Sequence, residues 1–417
     1  MSSEDRPVKI LYCESCMDGT VGGSHHCLLH LVEHLDRSLY EPVVLFYESH
    51  AILPRFQAVA ETLIWSRSLL RPVQWGVGRS LWFLPLAFAR RVANFLKFLC
   101  RVADYIFFLK RNCIALVHLN NSITRHHEWM YAAFLSGVPC VVSERGLNSR
   151  YDPWDRACAA TLALIIPMSR WIMEHMVQRG VSPDNIRVMY DGVDPHSITV
   201  TQPAEALRKI YDIRSEQAVV GIVGNIREWK GQETVVRALT EVVKKHPSVV
   251  CFFVGAATME DRGYADRLHA MIRDAGIERN VRFTGYQKNP ADFVSAMSIV
   301  IHASVLPEPF GMVVLEAMAQ RKAVIGSRAG GVIEMVVEGV TGYTFIPGNA
   351  AMLAAHMSEL LDNPELAAQM GEAGYRRLFS SFTLHRYMEE IHASYKAILR
   401  RRPVPAEIGV AYHGVAE

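Results

Sequence analysis

Short apolar runs alternate with stretches of helical spacing along most of this chain. The first half holds VKILYC (Val8–Cys13), PVVLFY (Pro42–Tyr47), ETLIW (Glu61–Trp65), ALVH (Ala115–His118), Cys140–Ser143 and ALIIPMS (Ala163–Ser169). The second half holds AVVGIV (Ala218–Val223), Val249–Val254, Val281–Phe283, SIVIHASV (Ser298–Val305) and Ala323–Ser327. Runs this short and this rich in Val and Ile predict buried strands. Between them the spacing predicts helices at His25–Leu35, His127–Ser136, Trp171–Arg179, Gln232–Lys244, Tyr264–Ala275, Pro290–Met297 and Met312–Ala319. Further helices are predicted at Val332–Val337, Met352–Leu361 and Pro364–Leu378. A long terminal helix is predicted over Thr383–Arg400, with Tyr387, Ile391, Tyr395 and Ile398 at core spacing. This alternation predicts an α/β fold.

Several strand-to-helix loops carry chemistry. Ser304–Gly331 reads as loop, helix, strand and loop, with Phe310-Gly311 opening the helix. Free N–H groups and the positive end of the helix dipole meet there, so the turn suits an anion. Glu308 precedes the helix, and Glu316 lies five residues past Gly311, roughly 7.5 Å along its axis. A nucleotide sugar spans that distance, with its pyrophosphate at the helix start, ribose hydroxyls at Glu316 and sugar hydroxyls at Glu308. A carboxylate accepts two hydrogen bonds from a vicinal diol. Arg227 and Lys230 stand in another turn, before Gly231 and the helix from Gln232, where two cations suit two phosphates. Gly22, Gly23 and Ser24 lie before the helix from His25 and form a third such turn.

The segment E-P-F-G-M-V-V-L-E-A-M-A with K-A-V-I-G-S-R-A-G-G after it resembles the Glu–seven residues–Glu signature of the family-four retaining glycosyltransferases. Asp191-Gly-Val-Asp194 resembles the family's Asn-Gly-Val-Asp, with Asp191 in place of the Asn, and Lys230-Gly231 matches too; the resemblance extends over roughly residues 8–400. It implies the GT-B architecture, two Rossmann-like parallel-sheet domains facing a central cleft. The N-terminal acceptor-side domain is expected at 1–196 and the nucleotide-sugar domain at 197–378. A terminal helix at 379–402 would cross back to the first domain, ahead of a loosely ordered tail at 403–417. By the same resemblance the donor meets Gly22, Gly23, Arg227, Lys230, Gly285, Tyr286, Glu308, Phe310, Gly311, Met312, Val313 and Glu316. Catalytic positions are Glu308, Lys230 and Asn120. Asn120 stands where family members often place a His, and it hydrogen-bonds a sugar but takes no proton. Asn225 stands where the family commonly has Arg, with Arg227 as the replacement charge. His126 and His127 are read as a solvated helix start, with a role beside the sugar as the alternative. The expected reaction is retaining transfer from a UDP- or GDP-linked sugar to a hydroxyl of a glycan, lipid-linked in one version, with no metal and no cofactor. The alternatives are an epimerase of the same architecture and a silent nucleotide-sugar-binding protein.

Composition narrows this picture. Half of the 417 residues are apolar and a fifth are charged, as in a well-packed globular protein of two domains. A net charge of +2 gives no reason to expect nucleic acid. Eight cysteines in a chain this long make no disulfide scaffold and point to a reducing, cytoplasmic setting. Cys13 and Cys16 lack a second ligand pair and are read as buried thiols rather than a metal site. No secretory signal and no spanning helix are expected.

One stretch departs from this average. Arg71–Arg111 carries Trp75, Trp82, Phe83, Phe88, Phe95, Phe98, Phe107 and Phe108 among eight basic residues and one acid, Asp104. From Arg90, the positions Arg90, Asn94, Lys97, Arg101, Asp104 and Tyr105 form one polar stripe. Either the helix docks on anionic lipid through its apolar face or it is buried against the first sheet with its basic stripe solvated. The stretch WFLPLAF (Trp82–Phe88) favours peripheral membrane contact.

Overall fold

The computed structural model describes residues 6–15, 22–65 and 84–400, with the backbone alone for 84–91. Trp75, Trp82, Phe83, Cys16 and the tail at 403–417 lie outside the described residues, and so do the side chains of the Trp82–Phe88 stretch.

Twelve strands form two six-stranded sheets among the described residues. The first contains β1 (Val8–Glu14), β2 (Tyr40–Phe46), β3 (Glu61–Ile64), β4 (Ile114–Asn121), β5 (Cys140–Glu144) and β6 (Leu164–Pro167) in the order β3-β2-β1-β4-β5-β6. The second contains β7 (Val219–Val223), β8 (Val250–Val254), β9 (Val281–Gly285), β10 (Ile299–His302), β11 (Ala323–Ser327) and β12 (Gly342–Phe345) in the order β12-β11-β10-β7-β8-β9. Every pairing is parallel. Parallel strands need crossover helices, and helices covering both faces explain the unbroken apolar runs. In β8 all five side chains of VCFFV are buried.

The chain divides into two compact units. The first takes the residues before Ser169, then Met173–Met189, and then Met388 onward; the second takes Ser169–Ile172 and Tyr190–Tyr387. The terminal helix Leu384–Arg400 thus begins in the second unit and ends in the first. Tyr395 on that helix is fully buried, and its hydroxyl meets His118 Nδ1 on β4 and Tyr12 on β1.

Three short elements escape the apolar pattern. The helix Pro153–Thr161 is set by its cap: Asp152 accepts from the N–H groups of Trp154 and Asp155 at 2.9 Å each, with Pro153 in the first turn. The helix Ala204–Ile210 follows Pro203. The turn at Gly339–Gly342 runs directly into the edge strand β12.

The basic, aromatic stretch becomes a 28-residue helix, Leu84–Arg111. Phe98, Val102, Tyr105 and Leu109 are buried along one side of it. Tyr105 therefore leaves the expected polar stripe: its ring stacks 4.0 Å from Trp129, where an aromatic gains more than in water. Arg101 pairs with the buried Glu128 at 3.6 Å. Val92, Phe95, Leu96, Leu99 and Phe107 remain exposed. The helix is neither wholly buried nor apolar enough to span, and no helix among the described residues is long and apolar enough to cross a membrane.

Candidate active site

In each sheet the strand order reverses once, between β1 and β4 and between β7 and β10. At such a point the loops leaving neighbouring strands diverge and open a crevice beyond the carboxyl ends. In the second unit, Lys230 enters this region from the loop after β7, and Glu308 from the loop after β10.

Two glycines let these loops approach. Gly231 has φ +75°, and a Cβ there would lie 1.9 Å from the carbonyl oxygen of Ala303. Gly330 has φ +66°, and its Cβ would lie 2.0 Å from the carbonyl oxygen of Glu308. The next residue, Gly331, donates its N–H to that same carbonyl at 2.9 Å. Any side chain at either position would push the site apart.

The result is a compact charged cluster. Lys230 Nζ lies 2.8 Å from Glu308 Oε1 and 2.9 Å from Oε2. His302 Nε2 meets Oε2 at 2.7 Å, and Ser304 Oγ donates to it at 2.8 Å. The Lys230 ammonium also sits 4.3 Å from the Trp229 ring centre, a cation–π contact. Burial alone would raise the Glu308 carboxyl. The hydrogen bond and charge of His302, with those of Lys230, outweigh it and hold the group well below the usual carboxylate range. Glu308 retains 16% side-chain exposure and Lys230 19%, so a solute reaches both.

Gly311, at φ +102°, precedes the helix Met312–Ala319; its carbonyl accepts from Val314 N–H at 2.9 Å, which leaves the Met312 and Val313 N–H groups without an acceptor within the helix. Phe310 itself is core: its ring is buried between Tyr190 and Phe382, leaving its backbone to face the turn. Met312 and Val313 are half-buried in that first turn. Glu316 is half-buried one turn on and makes no hydrogen bond to another described residue; burial pushes its carboxyl up.

The other donor-side positions are more dispersed. Arg227 pairs with Asp261 Oδ2 at 3.2 Å instead of joining Lys230 and Glu308. Gly285 ends β9 at φ +68°, and Tyr286 after it is 78% exposed. β9 lies three strands from β10, roughly 14 Å at ordinary strand spacing, a nucleotide's length from Glu308.

The first unit holds Gly22, Gly23 and Asn120. Both glycines have open space where a side chain would start. Asn120 is 1% exposed: its Nδ2 donates to Glu14 Oε2 at 2.6 Å and to the Ser24 carbonyl at 3.2 Å, and its Oδ1 accepts from Arg145 Nε at 2.8 Å. Register explains the first contact, because Glu14 and Asn120 are partners across β1 and β4. Asn121 Nδ2 donates to the other Glu14 oxygen.

His126 and His127 are not a solvated helix start. They are 1% and 4% exposed. His127 Nε2 lies 2.8 Å from Asp155 Oδ1, and burial lowers His126 to about 3, so it is neutral at physiological pH. Glu144, at the end of β5, is pushed up to about 8 by burial and accepts from Ile123 N–H and Asn148 Nδ2 at 2.8 Å each.

Sequence reasoning missed His302, Ser304 and Glu14. Each is a polar residue closing or following an apolar strand, and that position is the signal that could have found them.

The geometry defines a Rossmann-like domain with a charged cluster at its sheet reversal, repeated in topology by a second such sheet. Solved structures share this architecture. Anabaena Alr3699/HepE, solved in complex with UDP-glucose, is 22% identical, with a TM-score of 0.72 over 93% of this chain and 99% of that one. A glycosyltransferase from Rickettsia africae is 18% identical, with a TM-score of 0.77 over 95% of this chain and all of the other. The fold is GT-B. The family model for glycosyl transferases group 1 matches residues 203–377, and that for the glycosyl transferase 4-like domain matches residues 22–192. The chain belongs to this glycosyltransferase family.

Curated relatives are more specific in name. The lipopolysaccharide core biosynthesis mannosyltransferase LpcC of Rhizobium leguminosarum is 31% identical over 43% of this chain and 51% of its own length. A D-inositol 3-phosphate glycosyltransferase of Corynebacterium aurimucosum is 28% identical over 55% of each chain. The matches thus span about half the length of these relatives.

Proposed function

We propose that this protein is a retaining glycosyltransferase that moves a sugar from a nucleoside diphosphate to a hydroxyl of a growing, lipid-linked glycan. The observation that carries this is the Lys230–Glu308 pair, 2.8 Å apart and still reached by solvent, beside the start of Met312–Ala319 at the reversal of the second sheet. In this reading the diphosphate takes the Lys230 ammonium and the first-turn N–H groups of Met312 and Val313. The ribose hydroxyls meet Glu316, whose carboxylate lacks a hydrogen-bond partner among the described residues, and the base lies toward Gly285 and Tyr286. Glu308 meets the sugar.

The bond from the anomeric carbon to the phosphate oxygen breaks, and its electron pair stays on the diphosphate. Lys230 and the helix start stabilise that charge without rearranging. The acceptor oxygen bonds to the anomeric carbon and its proton passes to a phosphate oxygen, on the face the leaving group vacates. Glu308 is held ionised by a cation and an imidazole that compensate its charge, which suits positioning better than nucleophilic attack. HepE was solved with UDP-glucose, which supports a UDP-linked donor, and LpcC is named a mannosyltransferase, which supports mannose as an alternative sugar.

The exposed face of Leu84–Arg111 supports the lipid part of this reading. Val92, Phe95, Leu96, Leu99 and Phe107 lie with Lys97, Lys110 and Arg111, a pattern that suits an anionic bilayer surface.

The test is thermal stabilisation by a panel of UDP- and GDP-sugars, followed by donor consumption with and without a lipid-linked acceptor. The expected outcome is stabilisation by one nucleotide class and consumption that needs acceptor. Consumption without acceptor, giving an epimer, replaces transfer by epimerisation. Binding without consumption under both conditions leaves a nucleotide-sugar-binding protein.

A further inference from the structure

The two oxygens of Glu308 are used unequally. Oε2 takes His302 Nε2 at 2.7 Å, Ser304 Oγ at 2.8 Å and Lys230 Nζ at 2.9 Å, whereas among the described residues Oε1 takes only Lys230 Nζ, at 2.8 Å. We propose that His302, seconded by Ser304, is a positioning residue: it anchors Glu308 through Oε2 so that Oε1 alone reads the donor sugar. This rests on the reading of Lys230 and Glu308 as donor contacts.

A lysine ammonium is a mobile point charge on a flexible stem. A diphosphate arriving beside it competes for the same protons with more negative charge than one carboxylate. When Lys230 turns to the diphosphate, Oε1 loses that partner and becomes the free acceptor. Glu308 then keeps its place only through donors that do not move with Lys230. His302 and Ser304 are such donors. His302 closes β10, in register with Gly326 of β11, and is 3% exposed. Its Nε2 lies 3.6 Å from where a Cβ on Gly311 would be, so the ring is walled by the helix start. Ser304 is 1% exposed, and its carbonyl accepts from Ser327 Oγ at 2.6 Å. Meanwhile His302 Nδ1 is buried with no hydrogen-bond partner among the described residues. The ring's polar contacts are therefore concentrated on the Nε2 side, toward Glu308 and Ser304. A diol cannot be shared evenly over both carboxylate oxygens here, because Oε2 is already saturated.

The test compares wild type with His302→Gln, His302→Asn, Ser304→Ala and Glu308→Gln. The probe is whichever of UDP-glucose, UDP-N-acetylglucosamine or GDP-mannose the wild type consumes fastest, with kcat, donor KM and the Kd of the bare nucleoside diphosphate as readouts. Glutamine sets an amide N–H where Nε2 was. Asparagine reaches only the Nδ1 position and withdraws the donor from Oε2. His302→Gln is expected within about 3-fold of wild-type kcat, and His302→Asn lower by about 30- to 100-fold, as misplacement of a positioning group costs. Ser304→Ala is expected to lose about 3- to 10-fold, with nucleoside diphosphate Kd steady within about 2-fold in all three. Equal losses in Gln and Asn, or wild-type kcat in Asn while Glu308→Gln is impaired, overturn the proposal. If His302→Asn does not fold, Ser304→Ala decides: a drop in kcat at unchanged nucleotide affinity supports it, and wild-type kcat overturns it. A fully active Glu308→Gln with an unchanged ratio of nucleotide-sugar to nucleotide affinity is a separate failure, which removes the donor-site reading and this inference with it.

Discussion

Two sheets of one topology put a carboxylate at each reversal of strand order, and the two carboxylates live in opposite surroundings. Glu14, at the end of β1, is fully buried and gripped by the amides of Asn120 and Asn121. Glu308, after β10, is gripped by a cation and an imidazole and still meets solvent. Topology decides where a polar group can gather; its partners decide whether it is scaffold or site. Neutral amides satisfy a carboxylate and leave it nothing to exchange. A lysine satisfies it with a charge that a phosphate can claim.

The sharpest way to break this contrast is at the second reversal. Glu308→Gln and Lys230→Met should each lower kcat by about 100-fold or more, as loss of a preorganised charge does. Both should also cost a few kcal/mol in urea unfolding, because each leaves one partner of a largely buried pair unmatched. Glu14→Leu should cost stability alone. Asn120, buried, and Asn121, half-buried, lose the shorter of their acceptors and keep the Ser24 carbonyl and Ser15 Oγ at 3.2 Å, costing about 2 kcal/mol in urea unfolding, while nucleotide affinity of the folded fraction stays at the wild-type level.

Gly330→Ala tests the packing beneath Glu308. A methyl at a left-handed position, 2.0 Å from a carbonyl oxygen, should cost about 2 kcal/mol and lower kcat through displacement of the loop. A separate effect is in pH. Glu144 sits at about 8 when folded, above its unfolded value, so the native state keeps a proton that the unfolded chain releases. Its contribution is fully present below the unfolded value of about 4.3 and is lost as pH rises toward 8, at roughly 1 kcal/mol per pH unit. Glu308 is depressed, so its contribution is present above the unfolded value and is lost as pH falls. Denaturation between about pH 5 and pH 8 should therefore show a negative slope that Glu144→Gln flattens and Glu308→Gln does not.

Much of the fold is legible because parallel sheets demand apolar runs and crossover helices demand amphipathic ones. Ala323–Ser327 and Met312–Ala319 fall where periodicity puts them. Pro153–Thr161 hides because it is held by a cap more than by an apolar face. Lys230, Glu308 and Gly311 are legible through local spacing. The pairing of Asn120 with Glu14 is not, since the two are 106 residues apart and meet only through strand register. His302 hides inside an apolar run, where a lone histidine reads as strand. Tyr105 misleads for a related reason: its hydroxyl counts as polar, while its ring belongs to the core.

The helix Leu384–Arg400 carries a consequence for synthesis. Tyr395 completes the core under β1 and β4, yet it leaves the ribosome after all of β7–β12. The first unit is thus finished only after the second has been made, and it waits with an open seam while that one folds. Cutting the chain before Leu384 would leave that seam open permanently, so one cut cannot release the two halves as finished pieces.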